Sequence, residues 1–168
     1  TAYSILDVTN LASATIVCPT AVQRFNCTFA GTGITTLTGV FGGNGQSNNT
    51  GGVGGLATGG QLNIPGSDGE IGDGGVGGDG GLPWLGGHFG KGSTAGSGNA
   101  PRAGGCVYIK EYSDPSLLIG SFGGVAKEEI FIVPEATTYP TFINGPWTRP
   151  AGVTSIEVSL VGGGGSGG

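Results

Sequence analysis

A single histidine, His88, sits between Gly87 and Phe89, and any catalytic triad or zinc site in this chain would have to be built around it. Cys18, Cys27 and Cys106 include no close C-x-x-C pair to join it, so the residues predict no zinc centre, and His88 reads as a structural or surface-binding residue. Asp68, Glu70, Asp73 and Asp79 lie in a glycine-rich run, and Gly74-Gly75-Val76-Gly77-Gly78-Asp79 matches part of a calcium-binding nonapeptide. That site needs stacked copies and an apolar residue two places after the aspartate. Here there is one copy with Gly81 in that place, so a solvated loop is the expectation. Gly90-Lys91-Gly92-Ser93 lacks the residue order and the following helix of a phosphate-cradling loop. A glycan-cleaving enzyme would need two carboxylates about 5 to 10 Å apart in a cleft, and no such pair is recognisable. The chain is therefore read as non-enzymatic, with no cofactor.

Two cysteines offer different chemistry. Cys18 and Cys27 are separated by eight residues in a stretch that reads as two short strands and a turn, a spacing able to close a disulfide in an oxidising compartment and leave Cys106 over. The alternative is that all three are small buried hydrophobes. Asn26-Cys27-Thr28 and Asn48-Asn49-Thr50 are glycan acceptors in a secreted eukaryotic protein.

The elements that would position these groups are constrained by composition. Of 168 residues 40 are glycine, which contributes nothing to a core and loses the most backbone entropy on ordering, so the core must be small and backbone hydrogen bonding dense. Only 10% of residues are charged and apolar side chains run along most of the chain, so order rather than disorder is expected. Eleven carboxylates against six Lys and Arg, with no cationic cluster, exclude a nucleic-acid surface. No apolar run approaches the length of about 20 residues that spans a bilayer, and no signal peptide opens the chain. There is no methionine, so Thr1 is not a translation start and the chain reads as a processed product or an excerpt of something longer.

Residues 1–10 alternate, with Tyr3, Ile5 and Asp7 on one face and Ala2, Ser4, Leu6 and Val8 on the other, as a strand does. Residues 14–18, 25–29, 34–40, 105–112, 128–133 and 155–161 also read as strands, while prolines 134, 140, 146 and 150 are expected to fix connections. Between them Gly66, Gly69, Gly72, Gly75, Gly78 and Gly81 recur at every third residue, the period of polyproline II, whose backbone groups are free to bond neighbouring passes. Collagen is disfavoured by the two prolines in residues 51–90, and a flexible linker by Leu82, Trp84, Leu85 and Phe89 within the repeat. The expected fold class is all-β: β-sandwich-like strands plus a glycine-rich layer of polyglycine-II-type helices, with little or no α-helix. Residues 1–113 form the strand and glycine-repeat domain, and 114–168 a linker plus terminal strand segment.

The run from Gly145 to Val161 (GPWTRPAGVTSIEVSLV), continuing into Gly162 to Gly165, resembles the opening of the glycine-rich domain of bacteriophage tail fibres, tail adhesins and related bacterial surface proteins. Tyr3 to Leu11, Ala57 to Gly66 and Val107 to Tyr112 resemble that domain's later segments, so nearly the whole chain is covered, with the order permuted. The permuted order fits an intramolecular permutation, a tandem-repeat polymer cut at one repeat, or subunits in which one tail completes the next domain; the last two are favoured. A domain lacking its opening strands exposes backbone edges that a neighbour's strand can cover, and head-to-tail contacts that do not close give filaments. The expectation is an extracellular or virion-associated fibre subunit whose main partner is itself, assembled through Tyr3, Ile5, Val153, Ile156, Val158 and Leu160. The sequence does not separate donor strand from acceptor. The alternative implied by the resemblance is an adhesin for a bacterial surface glycan or protein, on which Trp84, Phe89 or Trp147 would stack; core packing is the expected role of Trp147.

Overall fold

The computed structural model describes residues 1–18, 26–43, 51–69, 105–113, 125–132 and 143–163. The protein is all-β, with no helix among the described residues. Ten strands run in chain order: β1 (Ala2–Asp7), β2 (Ser13–Cys18), β3 (Cys27–Gly31), β4 (Leu37–Gly39), β5 (Ala57–Thr58), β6 (Leu62–Asn63), β7 (Cys106–Tyr112), β8 (Val125–Ile132), β9 (Ile143–Thr148) and β10 (Ser155–Val161). They form two five-stranded sheets ordered β6-β1-β10-β7-β8 and β5-β4-β3-β2-β9, and every neighbouring pair is antiparallel.

The period-2 pattern explains why these segments are strands that face each other across a core. Ala2, Val107, Ile109, Ile156, Val158 and Leu160 of the first sheet share one buried cluster with Ala14, Ile16, Cys18, Cys27, Phe29, Leu37 and Trp147 of the second. Phe29 and Trp147 meet with ring centroids 6.2 Å apart at 56°, a tilted aromatic pair. The predicted faces of β1 hold: Ala2 and Ser4 are buried, while Tyr3 and Ile5 are half-buried on the other side.

One stretch departs from expectation. Pro146, expected to fix a connection, instead lies within β9, opposite Thr15 of β2. The reason lies in the sheet order. β9 is an edge strand, where a residue with no N–H to donate is tolerated. The inward side chain of that strand, Trp147, then reaches the core, as expected of it.

Candidate functional site

The first candidate is the strand built from the sequence end of the resemblance. β10 lies at the centre of its sheet, paired on one side with β1 (Ala2 to Leu160 through Asp7 to Ser155) and on the other with β7 (Ser155 to Tyr112 through Val161 to Cys106). Ile156, Val158 and Leu160 are fully buried on the core side, and Val153 is buried just before the strand. Of the six residues predicted for assembly, these four belong to the core. Tyr3 and Ile5 lie on the opposite face, across from Ser159 and Glu157. Burial, reinforced by the Glu157 carboxylate, raises the Tyr3 phenol above its ordinary range.

β10 is tied to β9 by a short crossing between sheets. Arg149 donates its amide to Ala12 and a guanidinium N–H to the Val153 carbonyl at 3.0 Å, and Gly152 takes φ +83°, a left-handed value natural to glycine. Across the core, the Trp147 indole N–H donates to Glu111 Oε1 at 2.7 Å, joining β9 to β7, while Glu111 Oε2 is buried with no hydrogen-bond partner. Sequence reasoning missed Glu111. Its only signal was a glutamate at an inward position of a strand, between Ile109 and the strand end.

The second candidate is a set of glycine-rich passes beside the sheets. The Val40 and Gly43 amides donate to the Leu56 and Val53 carbonyls, and the Gly66 and Gly69 amides donate to those of Gly55 and Gly52, at 2.7 to 2.8 Å. In both pairs the bonds advance by three residues on each chain segment and run antiparallel. Residues 51–56 and 64–69 are not strands, whose bonding would repeat every two residues. Gly42 donates to Gly163 at 3.0 Å, so the chain leaving β10 joins the same set. Glycine is needed there because any Cβ at Gly55 would collide with the Val40 carbonyl oxygen, and one at Gly54 with that of Gly66. Asp68 Oδ1 accepts the Gly54 amide at 2.7 Å, so this carboxylate fastens one pass to another. Gly66 and Gly69 of the predicted triplet series lie here. Gly72, Gly75, Gly78 and Gly81, with Glu70, Asp73, Asp79, Trp84, His88, Phe89 and the Gly90–Ser93 loop, lie outside the described residues.

The third candidate is the cysteine set. Cys18, Cys27 and Cys106 are all buried thiols. The Cys27 thiol is raised well above its ordinary value, first by its hydrogen bond with Cys18 and then by burial, and burial pushes Cys106 up to about 12. Among the described residues no group of three or more His, Cys, Asp or Glu side chains is placed to hold a metal ion. Asn26, in the first sequon, is exposed; the second sequon lies outside the described residues.

No family model, curated protein or solved structure matches the chain.

Proposed function

We propose that this chain is a non-enzymatic structural subunit of an extracellular or virion-associated fibre, polymerising head-to-tail by β-strand complementation. One observation carries the reading: the strand from the resembling segment, β10, sits between β1 and β7 in the middle of a sheet. Without it that sheet divides into β6-β1 and β7-β8, each with an open edge, and the core loses Ile156, Val158 and Leu160. Burying each such side chain contributes about 1.5 to 3 kcal/mol. Three of them amount to a large part of the total stability of about 5 to 15 kcal/mol expected for a domain.

Exchange of β9 and β10 as a unit preserves every one of these pairings. The resemblance to tail-fibre glycine-rich domains supports the exchange between copies. We further infer that the glycine passes of residues 40–43, 51–56 and 64–69 form a polyglycine-II layer. The reading is supported by hydrogen bonds that step by three residues, and by contacts too close for any side chain.

Electron microscopy of the purified chain tests the fibre directly. Ordered filaments with an axial repeat near one domain are expected, and a chain lacking residues 150–168 should form none until a peptide of those residues is added. Discrete particles of the intact chain would overturn the polymer and favour the adhesin.

A further inference from the structure

We propose that Cys18 and Cys27 are joined by a disulfide when the chain folds under oxidising conditions, and that Cys106 stays a thiol. Three cysteines allow three pairings, and the sheet geometry selects one. The β2–β3 register sets Val17 against Thr28, and one further step sets Cys18 against Cys27. Directly opposed residues of an antiparallel pair have Cα atoms about 4.5 to 5.5 Å apart, inside the range of about 4.4 to 6.8 Å that a disulfide spans. Both side chains point into the core with no exposure, and the two thiols are already hydrogen-bonded.

Cys106 is set apart by strand register and alternation, its own sheet placing Val161 and Ile132 opposite it. Val107 and Ile109 of β7 belong to the shared core, so Cys106 faces the other side of its sheet. The residue that meets Cys27 is Gly105, where any added Cβ would run into the Cys27 sulfur and come within 2.6 Å of the Val161 carbonyl oxygen. Glycine at 105 thus makes room for the Cys27 side chain; Cys106 is near enough for Cys18 to add to the rise of its thiol, but its strand partners are Val161 and Ile132 rather than a cysteine.

The oxidant is a small-molecule disulfide such as that of the glutathione couple. One cysteine thiolate attacks it and releases one small thiolate; the second cysteine thiolate attacks the mixed disulfide and releases the other. Two protons and two electrons leave the protein, and the external disulfide becomes two thiols. In the closed fold the Cys27 thiol is raised by its hydrogen bond with Cys18 and by burial, and both sulfurs are shut away from solvent, so the bond forms while β2 and β3 are still open. Once formed it staples β3 to β2, the strand that carries β9 on its other edge through Cys18 and Ile143. The pairing does not depend on the fibre reading, and either can fail alone.

Arg24 lies between the two cysteines, so trypsin separates them into peptides 1–24 and 25–91 and places Cys106 in peptide 103–110. The chain is refolded in a glutathione redox buffer, alkylated under denaturing, non-reducing conditions, and digested. Expected is an intact mass lower by about 2 Da before alkylation, peptides 1–24 and 25–91 held together until reduction, and an alkylated 103–110. Reduction should also lower the Tm by about 5 to 10 °C. Three alkylated cysteines, or a cross-link that includes 103–110, would overturn the proposal. The variant Cys106→Ala should keep the link between 1–24 and 25–91, and its loss there would count equally against it.

Discussion

At Glu111 a carboxylate is 1% exposed and makes one hydrogen bond, from the Trp147 indole N–H at 2.7 Å. Such a group is held in the core most stably while its donor is present, because a buried acceptor left unpaired carries its full desolvation penalty. Trp147→Phe keeps most of the ring against Phe29 but removes the N–H, so a loss of about 2 to 3 kcal/mol in urea unfolding is expected, more than the same change would cost at an exposed tryptophan. The double variant Trp147→Phe with Glu111→Leu should recover part of that loss, since no polar atom is then stranded; an unchanged loss would show that packing alone governs the site. A second residue-scale prediction concerns acid. The Thr9 hydroxyl and amide both donate to Asp7 Oδ1, at 2.6 and 2.9 Å, and hold the exposed Asp7 carboxyl below its ordinary value of 3.8. A group depressed in the folded state stabilises it above the unfolded value and loses that effect as pH falls through the folded value. An NMR titration of Asp7 should therefore find a midpoint below 3.8, and Thr9→Ala should move it upward.

Among the elements, the glycine passes and β9 show what the sequence made legible. The strands β1, β2, β7 and β10 were readable because one face of each alternates apolar residues against the core, and glycine at 54 and 55 sits where any Cβ would meet a backbone carbonyl. β9 was not readable, since Ile143-Asn144-Gly145-Pro146-Trp147-Thr148 carries two strand-breaking residues and becomes a strand only by lying along an edge of the sheet beside β2. β5 and β6, two residues each, gain their pairing from β4 and β1 and have no periodicity of their own. Gln61 was equally hidden: its side-chain amide accepts from the Ile5 N–H and donates to the Ile5 carbonyl, standing in for a strand residue beside β1. The close packing of the passes can be tested by contrast. Gly55→Ala forces a Cβ onto the Val40 carbonyl and should destabilise by more than about 1 kcal/mol, whereas Gly145→Ala, with nothing within 4 Å of the new atom, should stay within about 0.5 kcal/mol of the parent. Equal melting of the two would mean that the passes are not packed backbone to backbone.

For the whole molecule the decisive matter is whose β10 lies between β1 and β7. A strand closed on its own chain and one received from a neighbour produce the same pairings, so the distinction must be read from covalent connectivity. Tyr3 and Ser159 stand directly opposite across β1 and β10, on the face away from the core, at a separation that a disulfide can bridge. Tyr3→Cys and Ser159→Cys are therefore placed on separate chains, unfolded together, refolded as a mixture and oxidised. Subunits that complement one another by strand exchange should yield a mixed dimer, because β1 of one chain meets β10 of the other, and the double variant should yield a ladder of covalent multimers. A chain that closes on itself would instead leave the mixture monomeric on a non-reducing gel and give an internally bridged double variant. The parent chain, whose three cysteines are buried, serves as the reference and should run as a monomer in either case. A mixed dimer whose yield falls as the chains are diluted before refolding is the result expected of a head-to-tail polymer, since exchange competes with self-closure according to concentration.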